Sequence, residues 1–147
     1  MTEKRKYWGI VSPMPAPMIQ AQAQQLEAMG LEGVFAPQVY GPPFIPLAVA
    51  AGATTRLKLA SGIALAFTRS PFETAVAAMD MDMVSGGRFT LGLGSSVRSW
   101  SEGFFGMPYG KPVEHLREVI EIVRLVIQKS HTGELGRYDG KYHQLDF

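Results

Sequence analysis

The stretch that decides the fold runs from Ser85 to Ser96 and reads SGGRFTLGLGSS. Gly86-Gly87 can adopt positive φ values, so this pair predicts the end of a preceding helix and a tight turn. Phe89–Leu93 is a short apolar run, as expected for a strand that is covered on both faces. The small residues Gly94-Ser95-Ser96 follow at the carboxyl end of that strand, where parallel α/β folds bind ligands.

A strand–helix alternation extends on both sides of this stretch. Consecutive predicted strands begin about 25 to 30 residues apart, which is the length of a βα unit with a crossover between parallel strands. The pattern therefore predicts an α/β fold. The predicted strands are Tyr7–Val11, Gly33–Ala36, Leu57–Ala66 and Phe89–Leu93, and the predicted helices are Met18–Met29, Ile45–Ala53, Pro71–Val84 and Pro112–Ser130.

Two of the helices carry sequence signals of their own. Ser70, Pro71 and Glu73 form a capping box, with Ser70 as the N-cap and Glu73 as the third helical residue. Apolar residues at helical spacing predict the buried faces of both helices. These faces comprise Phe72, Ala75, Val76, Met79 and Met83 in the third helix and Leu116, Val119, Ile120, Val123, Val126 and Ile127 in the last.

Composition indicates an ordinary globular α/β protein. The 147 residues are 46% hydrophobic and 18% charged, which is enough for one domain with a core. The net charge of +1 gives no electrostatic reason to expect a nucleic-acid partner. The absence of cysteine excludes disulfides, thiol nucleophiles and cysteine metal sites, and it fits a cytoplasmic protein. No apolar run approaches the ~20 residues of a membrane span, so no membrane association is expected.

Three motifs, in order along the chain, resemble the luciferase-like monooxygenase superfamily. They are SGIALAFTRSP at residues 61–71, SGGRFTLGLG at residues 85–94 and GKYHQL at residues 140–145. The resemblance implies a TIM (β/α)8 barrel of the bacterial-luciferase type, with the first two motifs on its third and fourth strands. Since such a barrel takes about 250 residues, the four βα units predict that residues 1–147 are the N-terminal half of a single barrel domain.

The same resemblance implies an oxidoreductase. The superfamily includes flavin enzymes and enzymes of the deazaflavin coenzyme F-420, and the segment from Pro46 to Phe147 looks closest to the deazaflavin branch. The first expectation is therefore hydride transfer between an organic substrate and coenzyme F-420. An FMN-dependent monooxygenase that uses O2 is the alternative. A non-catalytic half-barrel that self-associates is a second alternative.

Two segments would contact the coenzyme ring if the family's pattern carries over. Gly62-Ile63 corresponds to a bulge on the third strand, where the deazaflavin branch has a non-proline cis peptide behind the ring, and Leu65 would point the same way as Ile63. Gly94 would let a planar ring approach the backbone, while Ser95 and Ser96 would donate hydrogen bonds to it. The plainer interpretations are a strand glycine that allows close packing and a βα turn with a serine helix cap.

The sequence does not identify a catalytic acid or base. In the family that this chain resembles, many deazaflavin members have an Asp-His pair after the second strand. This chain instead reads Pro37-Gln38-Val39-Tyr40. Gln38 is the candidate for a catalytic or substrate contact, with Tyr40 beside it. An ordinary loop role is the plainer interpretation of both residues.

No metal site is predicted. His115, His131 and His143 are separated by 16 and 12 residues, which matches no metal-ligand spacing. His115 is assigned to the polar start of the last helix, and all three histidines are given ordinary structural roles. Other conspicuous side chains are interpreted as loop anchors or packing groups, namely Arg69 before the third helix and the apolar patch of Trp100, Phe104, Phe105 and Met107.

The expected partners are a small-molecule substrate and a second copy of the chain. Four βα units leave the first and fourth strands with unpaired N–H and C=O groups, and such edges invite pairing with another chain. We therefore expect the 147 residues by themselves to dimerise or aggregate. They should bind the coenzyme weakly, because the family holds the phosphate mainly with later strands.

Overall fold

The computed structural model describes residues 4–147, which form two compact units. Among the described residues, the first unit contains residues 4–64 together with Asp80–Leu93, and the second contains Leu65–Met79 and Gly94–Phe147. In chain order the elements are β1 (Trp8–Ile10), α1 (Ala16–Ala28), β2 (Gly33–Ala36), α2 (Phe44–Ala53), β3 (Lys58–Ser61), β4 (Ala64–Leu65), α3 (Pro71–Ser85), β5 (Phe89–Thr90), β6 (Leu93–Gly94), α4 (Arg98–Gly103), α5 (Pro112–Lys129), a 3-10 turn (Ser130–Thr132), β7 (Arg137–Asp139) and β8 (Gln144–Asp146).

The first unit contains a parallel four-stranded sheet in the order β1-β2-β3-β5. Trp8 lies opposite Gly33 in the first pair of strands, and Leu59 lies opposite Phe89 in the last. The predicted parallel strands with helical crossovers are therefore confirmed, and the predicted ends of the four helices agree within two residues. The core of this unit includes Val11, Ile19, Ala23, Val34, Leu47, Leu57 and Leu59.

The predicted third and fourth strands are each broken into two short strands. The third becomes β3 and β4, with Gly62-Ile63 between them, and the fourth becomes β5 and β6. At the break, the Ser61 hydroxyl donates to the Gly92 carbonyl and accepts from the Gly92 N–H, both at 2.8 Å. Because this side chain takes the place of a backbone partner, the regular ladder stops at β3 and β5, while β4 and β6 form a separate two-stranded ladder.

Arg88 is the main polar anchor of the first unit. Its guanidinium donates to the carbonyl oxygens of Ala51 and Leu57, at 2.9 and 2.8 Å, and to the Thr54 hydroxyl at 2.9 Å. These bonds connect the end of α2 to the start of β3. The arginine in the SGGRF motif therefore donates hydrogen bonds to polar groups at the end of α2, where a helix lacks backbone donors for its last carbonyls.

The turn that ends α3 is formed as predicted. Gly86 and Gly87 have φ values of 64° and 81°, and their N–H groups donate to Met83 and Asp82. At the other end of the helix, the Ser70 hydroxyl accepts from the Glu73 N–H at 3.0 Å, which confirms the predicted N-cap.

The predicted buried faces of the two long helices are partly wrong. In α3, Phe72 and Met83 are exposed, whereas the small residues Thr74, Ala75 and Ala78 are buried. This helix has apolar residues on every side, so its sequence does not define one face. In α5 the buried face is rotated toward His115, Val119, Ile122, Val123 and Val126, while Ile127 is exposed.

The second unit contains the hairpin of β7 and β8, which the sequence did not predict. Its two strands are antiparallel, with Arg137 opposite Asp146 and Asp139 opposite Gln144. The Glu118 carboxylate of α5 accepts the backbone N–H groups of Lys141, Tyr142 and His143 at 2.8 to 3.0 Å. Burial alone would raise the pKa of Glu118, but these three donors lower it below its usual value. Within residues 4–147, no helix combines the length and the apolar character needed to cross a bilayer.

Candidate functional site

A cleft of about 450 Å³ lies at the carboxyl ends of β1 and β2, in the first unit. The loop after β1 contributes Ser12 and Pro13, and the loop after β2 contributes Pro37, Val39, Tyr40 and Gly41. Proline in both loops fixes φ and holds the chain in turns that cannot continue either strand. The cleft therefore occupies the edge where parallel α/β proteins bind their ligands.

Gly62-Ile63 joins the same edge of the sheet. Its peptide bond is cis, as predicted. The Gly62 N–H donates to the Ala36 carbonyl at 2.9 Å, and the Ile63 carbonyl accepts from the Gln38 N–H at 3.1 Å. A Cβ added at Gly62 would lie 2.7 Å from the Phe35 ring, so only glycine permits this approach. The structure thus joins Gly62, Ile63 and Gln38 in one backbone network.

Ile63, Gln38 and Tyr40 differ in how far their side chains are exposed, and therefore in whether they can contact a ligand. The Ile63 side chain is 38% exposed and presents an apolar surface at the edge of the sheet, whereas Gln38 is only 7% exposed. Tyr40 is exposed and lines the cleft. Gln38 is thus placed to position the Ile63 carbonyl through its backbone, while Tyr40 is the titratable side chain among the cleft residues.

The predicted Gly94-Ser95-Ser96 tip lies in the second unit, together with Leu65. The Gly94 carbonyl accepts from the Ala66 N–H at 2.9 Å, and Leu65 is buried. Ser96 has a φ of 58°, which is unusual for a residue with a side chain. The Tyr109 hydroxyl donates to the Ser96 carbonyl at 2.9 Å and fixes this conformation. Contacts of these residues with a ring stay a prediction.

A histidine pair in the second unit was missed by the sequence analysis. His115 lies at the start of α5, as predicted, but its side chain is buried and only 4% exposed. Its ring stacks on Phe67 at 3.8 Å and on Tyr142 at 4.5 Å. The Nε2 atoms of His115 and His143 are 3.0 Å apart. A separation of 28 residues and no shared motif gave no sequence signal for this contact.

The surroundings determine the tautomers of the pair. His115 Nδ1 is 3.1 Å from the Tyr109 carbonyl oxygen, which can only accept, so Nδ1 carries a proton. With the proton on Nδ1, Nε2 of His115 accepts the hydrogen bond that His143 donates from its own Nε2. Burial lowers the pKa of His143, His115 beside it acts in the same direction, and Glu118 opposes them.

The apolar patch after β6 is a packing group only in part. The rings of Trp100 and Phe104 are in edge contact at 5.8 Å, but Phe104 is 64% exposed. Arg69 is half-buried, and with Met107 it lines a second, smaller cavity. The role of Arg69 as a simple loop anchor stays a prediction.

A parallel α/β sheet with a cleft and an accessible backbone segment at its carboxyl edge defines a class of ligand-binding proteins that includes many enzymes. The chain belongs within this class to the luciferase-like monooxygenase family, whose family model matches residues 5–147. Its α/β fold resembles that of luciferase-like TIM-barrel proteins.

Two similar proteins are named for their dependence on coenzyme F-420. The chain is 36% identical over 121 residues to a Mycobacterium tuberculosis protein provisionally named a coenzyme F-420-dependent oxidoreductase, covering 82% of this chain and 34% of that protein. It is 25% identical to the coenzyme F-420-dependent tetrahydromethanopterin reductase of Methanopyrus kandleri, with a TM-score of 0.72, covering 95% of this chain and 44% of the reductase.

A further solved structure of the same fold contains FMN. The oxygenating constituent of 3,6-diketocamphane monooxygenase from Pseudomonas putida, in complex with FMN, has a TM-score of 0.75 at 18% identity. That match covers 97% of this chain and 43% of the monooxygenase. The chain therefore spans about a third of the length of the mycobacterial relative and less than half of the two solved structures.

The residues at the carboxyl edge fit a planar coenzyme ring. Ile63 leaves an apolar surface accessible there, while the Phe35 ring fills the space beside Gly62. Flat heterocycles bind well to apolar walls that carry a few oriented backbone groups. The fit concerns the ring and the residues of the first unit.

Proposed function

We propose that the chain is part of an oxidoreductase in which hydride passes between a substrate carbon and coenzyme F-420. The observation that carries the proposal is the backbone network of Gly62, Ile63 and Gln38 beside the cleft at the carboxyl edge of the sheet. The names of the mycobacterial and methanogen relatives support the choice of coenzyme.

The chain's own residues would bind and orient the ring. Ile63 supplies an apolar surface behind it, and the Gln38 N–H holds the Ile63 carbonyl in place. Gly94, Ser95 and Ser96 would line the ring, and Leu65 would support the segment that leads to them. The coenzyme, when bound, supplies the hydride chemistry, so the protein contributes position and electrostatics.

An FMN-dependent monooxygenase that uses O2 is the second candidate. The loop after β2 has neither Asp nor His among Pro37, Gln38, Val39 and Tyr40, which departs from the deazaflavin pattern. The neighbour in complex with FMN has the same fold. A non-catalytic half-barrel that self-associates is a third candidate.

The proposal extends to the whole domain. Residues 1–147 would be four βα units that form the N-terminal half of a luciferase-like TIM barrel acting on a small molecule. The protein would work in the cytoplasm as a homo-oligomer, without a nucleic-acid, membrane or metal partner. The share of each relative that the chain covers is consistent with a partial barrel.

Coenzyme titration of the chain tests the proposal. Fluorescence titrations with F-420 and with FMN should show saturable binding with preference for F-420. Ile63→Glu should weaken F-420 binding about tenfold or more, because a charge would have to be desolvated against the ring. Met29→Glu is the matched control, since Met29 is 67% exposed at the end of α1, on the side of the sheet where β2 begins.

A second variant tests the tip after β6. Gly94→Val should block the approach of the ring, whereas Gly103→Val should not, because an added Cβ at Gly103 meets nothing within 4 Å. Preference for FMN together with O2 consumption would favour the monooxygenase. Equal affinities of wild type, Ile63→Glu and Gly94→Val would contradict both enzymatic proposals.

A further inference from the structure

A groove of about 510 Å³ runs along the exposed side of α5, in the second unit. Its lining within residues 4–147 comes from this helix alone. Intervals of three and four residues place the lining side chains on one face, opposite the buried face of the helix. This outer face of α5 comprises Val113, Leu116, Arg117, Ile120, Glu121 and Arg124.

Apolar side chains form one edge of the outer face. Val113, Leu116 and Ile120 follow one another at intervals of three and four residues, and Ile127 continues the row. Val113 and Ile127 are exposed, while Leu116 and Ile120 are half-buried. Because α5 has 18 residues, the row extends along a helix of about 27 Å. A continuous apolar row at this spacing is typical of the seam between two packed helices.

Charged side chains alternate in sign along the other edge. Their order along the helix is Glu114, Arg117, Glu121 and Arg124. Within residues 4–147, neither arginine makes a hydrogen bond or an ion pair. Glu121 accepts from the Tyr138 hydroxyl at 2.7 Å through Oε2, which leaves its Oε1 available as an acceptor. This edge therefore contains two unpaired guanidinium groups and a carboxylate that can accept another donor.

The order of these charges selects a second, antiparallel copy of the same helix as the partner. In an antiparallel pair with a twofold axis, the same edge of each helix faces its own copy. With the axis at the level of residue 119, Arg117 lies beside Glu121 of the partner subunit, and Arg124 lies beside Glu114 of the partner subunit. Opposite charges then meet at every position of this edge, whereas a parallel pair would place like charges together.

The apolar edge agrees with the same register. Ile120 lies next to the twofold axis and meets its own copy, with Leu116 beside it, while Val113 and Ile127 meet toward the two ends. A contact made by one 18-residue helix is at or below the lower end of the ~1,200–2,000 Å² that stable complexes bury. We therefore expect a weak dimer, with a dissociation constant on the order of tens of micromolar.

We propose that the outer face of α5 binds a second copy of this chain as an antiparallel helix pair, in which Arg117 of each copy pairs with Glu121 of the partner subunit. The contact is separate from pairing through the open strand edges, because α5 does not belong to the sheet. It is also separate from the proposed coenzyme ring site, since none of its residues is among those assigned to the ring.

Charge reversal tests the register. The chain is studied with Ile10→Lys, which opposes pairing through β1, and sedimentation equilibrium measures dimerisation. Arg117→Glu and Glu121→Arg should each weaken dimerisation about tenfold or more, because like charges then meet at two symmetric positions. Lys129→Glu makes the same charge change at an exposed position of α5 outside the outer face, and it should have no effect.

Mixing the two variants protects the test from a general loss of stability. An equimolar mixture of Arg117→Glu and Glu121→Arg should dimerise again, because one copy supplies two carboxylates and the other two guanidinium groups. A mixture that associates no better than its components would overturn the proposal. So would a chain that stays monomeric at hundreds of micromolar, which would leave the outer face to a different partner.

Introduced cysteines test the orientation, since the chain has none of its own. Under mild oxidation, Ile120→Cys should form a disulfide-linked dimer, because residue 120 lies next to the axis. Val113→Cys and Ile127→Cys should form disulfides faster when mixed than alone. Faster linkage of Val113→Cys to itself would indicate a parallel pair and overturn the proposal. Ile63→Glu should dimerise normally, so this test and the coenzyme titration can fail independently.

Discussion

Gly92 is a residue whose identity follows from one close approach. A Cβ added there would overlap the Ser61 carbonyl oxygen, which is a backbone atom that cannot move aside freely. We expect Gly92→Ala to destabilise the first unit by about 1–3 kcal/mol through overpacking. The free energy of unfolding in denaturant measures this effect.

Gly52 provides the matched control for that substitution. It lies exposed in α2, where an added Cβ meets nothing within 4 Å. Gly52→Ala should stabilise the protein by about 0.5–1 kcal/mol, because alanine has the higher helix propensity. Equal effects of the two substitutions would contradict the assigned role of the Ser61–Gly92 contact.

At the scale of elements, the Arg88 guanidinium connects the end of α2 to the start of β3 through several hydrogen bonds. Arg88→Lys keeps the charge but cannot reach Ala51, Thr54 and Leu57 together. We expect a loss of about 2–3 kcal/mol in the free energy of unfolding, as for lost hydrogen bonds from a charged group. Arg5→Lys, at an exposed position, should change it by less than about 0.5 kcal/mol.

The hairpin of β7 and β8 should lose stability in mild acid. Burial lowers the pKa of His143 in the folded chain, so the unfolded chain takes up the proton first, near the usual value of about 6.5. The corresponding stability is complete above that pH and is lost as the pH falls through the lowered pKa. Glu118, whose pKa is also lowered, acts in the same direction only below about 4.5.

Thermal unfolding between pH 8 and pH 5 tests this prediction, with near-UV circular dichroism reporting on the tyrosines of the hairpin. The melting temperature should fall below about pH 6.5, and His143→Gln should flatten that fall. His131→Gln, at an exposed position in the 3-10 turn, is the control. A melting temperature that rises toward pH 5 would contradict the prediction.

At the scale of the whole molecule, the parallel sheet ends in β1 and β5, each with one paired neighbour among residues 4–147. Trp8 and Ile10 on β1 are 40% and 49% exposed. Exposed apolar edge strands promote pairing with another chain. We therefore expect the chain to self-associate, and light scattering should give a mass above the 16.1 kDa of one chain.

A charge on the edge strand provides the control for self-association. Ile10→Lys should reduce association, because a lysine on an edge opposes strand pairing. Ile45→Lys, which places the same charge at an exposed position of α2, should not reduce it. A uniform 16.1 kDa species at tens of micromolar would contradict both the open edge and the proposed half-barrel.

Much of the fold and part of the site follow from the sequence by itself. Local patterns predict the order of strands and helices, the cap at Ser70 and the turn at Gly86-Gly87. Each of these depends on residues that are only a few positions apart in the chain. The bulge at Gly62-Ile63 also was predicted, since it lies within one contiguous family motif. The buried face of α3 was predicted wrongly, because apolar residues surround that helix.

Only the tertiary structure decided the features that join distant parts of the chain. Ser61 contacts Gly92, Arg88 reaches Ala51, and His115 meets His143, at separations of 31, 37 and 28 residues. No local pattern encodes such contacts, since each depends on how strands and helices pack after they form. The sequence therefore determined the family and most of the helices and parallel strands, whereas packing decided where the strands break, which carbonyls accept from Arg88 and that His115 contacts His143.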